Sequence, residues 1–189
     1  MAAPFHPGPP TPYVLAMPLY PAAARDLPAV ADLVNSAYRG ESSRAGWTTE
    51  ADYLGGQRTD AATLARDLAQ PGAMLLTLRD DPHGELLGCV WLEPAEPGVF
   101  YLGMLTVKPT LQDRQLGRTM LAEAEAVAKA QGARRIRMTV VNVRDTLIAW
   151  YERRGYALTG ETRPFPYDDP LFGLPQREDL EFVVLEKAL

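Results

Sequence analysis

The chain has 189 residues, 47% apolar and 23% charged, with a net charge of −5 at pH 7. That is the makeup of one globular domain, long enough to bury roughly 70% of its unfolded surface. The acidic balance argues against a nucleic-acid face, no apolar run approaches the ~20 residues a bilayer needs, and a lone cysteine, Cys89, excludes an intrachain disulfide and fits a reducing, cytoplasmic compartment.

Residues 1–12 are rich in proline, lack the charged and apolar blocks of a signal peptide, and read as a flexible tail. The domain is expected over 13–189. "YVLAMPL" (13–19) reads as a first strand. "RDLPAVADLVNSAYRG" reads as a helix, with Asp26 as cap, Pro28 in the first turn and a stripe through Leu27, Val30, Leu33, Val34, Ala37 and Tyr38. Residues 41–60 show little periodicity, with room for a short helix capped by Thr48 or Thr49. "DAATLARDLAQPG" is a second helix, stopped by Pro71 and Gly72.

"AMLLTLR", "ELLGCVWLE" and "VFYLGMLTV" read as three strands joined by the turns "DDPHG" and "PAEPG", hence antiparallel. Cys89, inside the second of them, reads as a buried small hydrophobe. A helix over 115–131 follows, with Leu116, Met120, Ala124, Val127 and Ala128 on one face. "ARRIRMTVV" is a strand, "DTLIAWYERRGY" a short helix capped by Asp145 and stopped by Gly155, and "LEFVVLEK" a closing strand. No repeat or second core is visible, so the expected class is a single α/β (α+β) domain with a mixed sheet.

The chemistry concentrates in "KPTLQDRQLGRTM" (108–120), where Gln112, Arg114, Gly117 and Arg118 stand at a helix start. The first amides of a helix lack intrahelical partners, and the macrodipole makes them attractive to an anion. Gly117 permits close approach of a ligand, and two arginines can reach the same anion. On the residues alone the turn reads either as a phosphate site or as solvated polar surface. GxxxxGK[ST] and GxGxxG are both absent, against a P-loop or a dinucleotide turn.

"VKPTLQDRQLGRTMLAEAEAVAKAQGARRIRMTV", followed by "LIAWYERRGYALTGE", resembles the GCN5-related N-acetyltransferase (GNAT) superfamily. The family motif, Gln/Arg-x-x-Gly-x-Gly/Ala before a helix, falls on Gln112, Asp113, Arg114, Gln115, Leu116 and Gly117. The departure is Gln115, where glycine is usual; its amide could still donate at negative φ. The resemblance implies a mixed, mostly antiparallel sheet flanked by helices, with one splayed parallel strand pair. It implies acetyl-CoA as co-substrate, its pyrophosphate on the amides of about Arg114 to Arg118 with Gln112 donating from its side chain. It implies that pantetheine runs along Met104, Leu105, Thr106 and Val107. Many members are dimers, so a homodimer is an expectation.

The resemblance also assigns Tyr151, four residues before Gly155, as the acid that protonates the departing thiolate; locally it could equally pack with Leu147. The family often has asparagine seven residues before this tyrosine. Here Arg144 occupies that place, and Asn142 is the candidate CoA contact. Glu93, at the end of "CVWLEP", is the candidate general base, and the Leu105 N–H the oxyanion donor. A lysine amine is neutral about once in ~2,500 at pH 7, a deficit of ~4.6 kcal/mol, whereas an α-amino group loses only about 1 kcal/mol.

On the substrate side, residues 38–60 hold Arg39, Glu41, Arg44, Trp47, Glu50 and Arg58 with no helix stripe to explain them. Mixed charge around an aromatic suits a small polar substrate or a solvated loop. Arg39, Glu41, Arg44 and Trp47 are the candidates there, and Phe165, with Tyr167 and Phe172, a candidate opposite wall. His6 and His83 have no partners of metal-site spacing, so no metal is expected. The expected function is acetyl transfer to a primary amine of a small molecule or peptide. The competitor is a CoA or acyl-CoA sensor without turnover.

Overall fold

A computed structural model describes residues 18–81 and 83–189. The expected tail and residues 13–17 of the expected first strand lie outside the described residues. The elements are β1 (Leu19–Pro21), α1 (Leu27–Tyr38), β2 (Leu54–Gly55), α2 (Ala61–Leu68), β3 (Met74–Arg79), β4 (Leu86–Glu96) and β5 (Val99–Val107). They continue with α3 (Leu116–Ala130), β6 (Arg135–Val141), α4 (Asp145–Glu152), β7 (Ala157–Pro164), β8 (Leu174–Pro175) and β9 (Glu181–Ala188).

Seven strands form one sheet in the order β1-β3-β4-β5-β6-β9-β7, antiparallel everywhere except between β5 and β6. Alternation along the strands divides the core between two faces. Leu75, Cys89 and Trp91 pack under α1 and α2, while Leu76, Leu78, Val90 and Leu92 pack under α3 and α4. Cys89 is fully buried, as its apolar run required, and burial pushes its thiol up to about 12.

Two contacts position α3. A Cβ on Gly88 would come within 2.6 Å of both Met120 Sδ and Thr106 O, so β4 and α3 meet where only glycine fits. Met120, Leu121, Ala124 and Ala128 fill the interface, on the face the 3.6-residue period picks out.

β5 and β6 pair only at Val99–Arg135, Phe100–Ile136 and Tyr101–Arg137. Beyond Tyr101 they part. The cause lies on β5, where the register against β4 jumps from Cys89–Thr106 to Trp91–Gly103. Met104 sits inside that bulge at φ 50°, a left-handed conformation that a non-glycine residue adopts at a cost of about 1–2 kcal/mol. Such strain persists where the surrounding structure enforces it, and it concentrates at functional sites.

The segment 41–60 departs from expectation. It carries a 3-10 turn at Glu41–Ala45 rather than a helix capped by Thr48 or Thr49. Thr49 Oγ1 instead shares a hydrogen bond with Ser43 Oγ (2.6 Å) and accepts from the Ala51 N–H (3.2 Å). The two-residue strands β2 and β8 pair with each other outside the main sheet. Asp145 is the first residue of α4 rather than its cap, which is Arg144.

Candidate active site

The turn before α3 is a 3-10 segment, Pro109–Arg114, closed by Gln115 at φ 60° and ψ 7°. The expected negative φ at Gln115 is not observed. A left-handed residue reverses the chain between the two helical turns, which explains why glycine suits the position. Among the described residues, the amides of Gln115, Leu116 and Gly117 have no protein acceptor, whereas the Arg118 N–H donates to Gln115 O (3.0 Å). The open amides are therefore those of 115–117, and Arg118 is not among them. A Cβ on Gly117 would meet Trp150 and Val107 only at 3.7 Å, so the glycine leaves room for a ligand rather than for protein.

Gln112 is otherwise engaged. Its Nε2 donates to Thr48 Oγ1 (2.7 Å) and Val107 O (3.3 Å), and its Oε1 accepts from the Trp47 N–H (2.9 Å). It clamps the 46–48 loop to the turn. Arg154 supplies a cation the sequence reading missed. Its guanidinium lies 3.5 Å from the Trp150 ring centroid and donates to Trp150 O (2.6 Å), while its buried Nε has no partner. Burial, then the charges of Arg118 and Arg153, holds its pKa below the usual arginine value. Crowded cations beside unoccupied amides are what an anion relieves.

This turn opens into a cavity of about 390 Å³ lined by Gln115, Gly117, Arg118, Trp150 and Arg154, with Asp113 at its rim. A second cavity of about 590 Å³ fills the parting of β5 and β6. The two meet at Tyr38, Leu105, Arg144, Leu147 and Tyr151. Tyr151 is buried, yet its hydroxyl has no hydrogen-bond partner among the described residues. Burial raises the pKa of that phenol well above its ordinary value.

The β5 carbonyls at the junction are already held. Tyr38 Oη donates to Leu105 O (2.7 Å), and Met104 O accepts from Thr106 Oγ1 (3.0 Å). Leu105 and Val107 line the first cavity, Met104 and Leu105 the second, and Thr106 is buried behind them.

Beside the junction lies a buried ion network. Glu50 pairs with Arg39 through Oε2 and with Arg144 through Oε1 (2.8 Å), and Arg144 also donates to Thr48 O (2.7 Å). The three side chains are 4%, 6% and 10% exposed, so two cations share one carboxylate almost without water. Burial alone would raise the Glu50 pKa, but Arg144, Arg39 and Arg58 together hold it below the ordinary carboxylate value. Arg144 also lies 5.6 Å from the Tyr38 ring centroid.

The remaining sequence candidates scatter. Glu93 lines the second cavity and accepts from Trp91 Nε1 (3.1 Å). Trp47 lines the first cavity, 6.2 Å from Trp150, instead of the second. Arg39 is buried behind Glu50, and Glu41 and Arg44 pair on the outer surface, where Arg44 also meets Asp52 (2.7 Å). Arg114 is exposed and Leu116 faces the core. Phe165 is buried with Leu54, Val141 and Leu180, leaving its neighbours Pro164, Pro166 and Phe172 on the cavity wall. Asn142 donates to Asp179 O (2.9 Å) and accepts from the Glu181 N–H (3.2 Å), tying β6 to β9 rather than reaching either cavity. The residue that does occupy the junction is Arg144.

Among the described residues no group of three or more His, Cys, Asp or Glu side chains could hold a metal, and no helix is long and apolar enough to cross a membrane.

The sequence profile of the acetyltransferase (GNAT) family matches residues 27–156. A mycothiol acetyltransferase from Beutenbergia cavernae is 31% identical over 84 residues, which are 44% of this chain and 28% of that protein's length. Among solved structures, a GNAT family acetyltransferase from Elizabethkingia anophelis with acetyl-CoA bound superimposes with a TM-score of 0.57 at 18% identity, over 67% of this chain and 81% of that one. A ribosomal-protein-alanine N-acetyltransferase from Brucella melitensis superimposes with a TM-score of 0.64 at 20% identity, over 90% and 99%.

Proposed function

The chain belongs to the acetyltransferase (GNAT) family, and from that premise we propose that it moves an acetyl group from acetyl-CoA to a primary amine of a small molecule or peptide by direct attack. The observation that carries this reading is a pair of adjacent cavities that share five lining residues. One begins at unoccupied helix amides with Arg118 and Arg154, the other fills the parting of β5 and β6, and they share Tyr151. A diphosphate on the amides of 115–117 would aim the pantetheine arm along β5 toward the junction. The amine would enter from the larger cavity, so donor and acceptor meet without an enzyme-bound intermediate.

The neutral amine attacks the thioester carbonyl, the carbon–sulfur bond breaks, and the sulfur leaves as thiolate. Tyr151 is the group we assign to protonate it, because it lines both cavities and its hydroxyl has no partner among the described residues. Glu93 stands on the acceptor side, where it can take the amine's proton, directly or through water. The Leu105 N–H is the oxyanion donor we assign, on the peptide next to the one that Tyr38 holds through the Leu105 carbonyl.

The test is a thiol-release assay over a panel of amines, run beside thermal shift with CoA and acetyl-CoA. Saturating acetyl-CoA should raise the melting temperature, and at least one amine should release thiol. Binding without release from any amine would favour an acyl-CoA sensor, and no binding at all would remove the CoA site.

A further inference from the structure

The charges around the larger cavity do not cancel. Four arginines line it: Arg58, Arg137, Arg144 and Arg163. Arg137 is paired with Glu96 and Glu186, Arg163 with Glu161, and Arg144 shares Glu50 with the buried Arg39. The Arg58 guanidinium has no acceptor among the described residues. Its backbone is nonetheless fixed. Asn35 Oδ1 accepts from the Arg58 N–H (2.6 Å) and Asn35 Nδ2 donates to Thr59 O (2.9 Å), stapling this loop to α1.

Among the acidic lining residues, Glu96 and Glu50 are consumed by those pairs, and Glu93 alone has no cationic partner among the described residues; there it accepts only from the Trp91 indole. Among the described residues the cavity thus presents one unpaired cation and one unpaired carboxylate. Arg58 acts on the same Glu50 that Arg39 and Arg144 share, and those three side chains are nearly dry, so three cations meet one carboxylate and the field on that wall is net positive. A wall of that kind favours an anion, and Arg58, with its planar fork, matches a carboxylate in two hydrogen bonds.

We infer that the acceptor is a zwitterion, an amine that carries an anionic group of the carboxylate kind, with Arg58 gripping the anion and Glu93 facing the amine. The inference rests on the transferase reading above and narrows its substrate class. A plain polyamine would set a second cation against Arg58 and Arg144, and a neutral amine would leave the Arg58 charge uncompensated in the cavity.

The test uses matched pairs, each L-amino acid beside its own carboxamide, plus a diamine, with acetyl-CoA and the full-length chain. Rates are compared per neutral amine, because the amide lowers the amine's own pKa. The acid of at least one pair should exceed its carboxamide in kcat/KM by about 10- to 100-fold, the scale of one charge-assisted contact. Arg58→Ala should collapse that ratio toward one through KM, with acetyl-CoA affinity unchanged, and Arg58→Lys should restore part of it. Turnover confined to carboxamides or the diamine, or a ratio untouched by Arg58→Ala, overturns this inference and leaves the transferase standing. Thiol release from no amine counts against the transferase reading itself, and the inference falls with it.

Discussion

Tyr38 donates its phenolic hydrogen to the carbonyl oxygen of Leu105 at 2.7 Å, joining the last residue of α1 to the strained bulge of β5. The bond fixes the peptide that borders both cavities. Tyr38→Phe keeps the ring that packs in the α1 core and removes only that donor. The Leu105 carbonyl is then left with desolvation uncompensated, a loss of about 1–3 kcal/mol, or roughly 2–12 °C in melting temperature for a chain of this size. If the bulge holds the reacting geometry, kcat should fall further than affinity for acetyl-CoA. An unchanged kcat beside a lowered melting temperature would reduce Tyr38 to packing.

Glu50 is the single carboxylate between Arg39 and Arg144. Glu50→Gln leaves two buried guanidinium ions without a counter-charge, a cost of about 3–5 kcal/mol. Arg144→Met leaves the one-to-one pair with Arg39 and should cost less, so calorimetry on both variants should rank them in that order. The wild type makes a pH prediction of its own. The Glu50 pKa is lower folded than unfolded, so its contribution is complete above the unfolded carboxylate value of ~4.3 and is lost as pH falls through the folded one. Melting temperature should therefore drop below about pH 4 in the wild type, and less steeply in Glu50→Gln.

The turn before α3 separates two effects at neighbouring positions. Gln115 is held at φ 60°, and its side chain has no hydrogen bond among the described residues to compensate. Gln115→Gly removes left-handed strain of about 1–2 kcal/mol and adds about 0.5–1 kcal/mol of unfolded-chain entropy. The expected net is a gain of up to about 1.5 kcal/mol with acetyl-CoA affinity retained. Gly117→Glu has no clash at Cβ, so the chain should fold, yet it puts a negative side chain among the open amides and should abolish binding. Calorimetry and isothermal titration on the two variants check both halves. Retained affinity in Gly117→Glu would move the diphosphate elsewhere.

Where side chains repeat with the period of their element, the chain could be read in advance. The apolar stripe marked α1, apolar runs between polar turns marked β3 to β5, and Pro71 with Gly72 marked the end of α2. β2 and β8 escaped because two residues each carry no period, and their partners, Leu54 with Pro175 and Gly55 with Leu174, lie far apart in the chain. Tyr38 belongs to the α1 stripe by its ring, but its hydroxyl answers to a carbonyl 67 positions away. Glu50 and Arg144 were both visible as charges, and their pairing spans 94 positions, which no local pattern encodes. Arg154 hid in an Arg-Arg pair at a helix end, where solvated charge is the ordinary explanation. The motif located the turn, and the backbone angle of Gln115 had to come from the fold.

Tyr151 ties the mechanism to pH. Its hydroxyl makes no hydrogen bond among the described residues, so Tyr151→Phe should leave the melting temperature almost unchanged and keep acetyl-CoA affinity. If the phenol protonates the leaving thiolate, kcat should fall by about 10²-fold or more. Burial raises its pKa, so the phenol holds its proton across the range in which acceptor amines lose theirs. The wild-type kcat/KM should therefore climb from pH 6 to 8.5 as the amine deprotonates, with no descending limb from Tyr151 below about pH 10. A descending limb near pH 8.5 that vanishes in Tyr151→Phe would mean that the phenol ionises early and that burial does not protect it. A wild-type kcat retained in the variant would pass thiolate protonation to water.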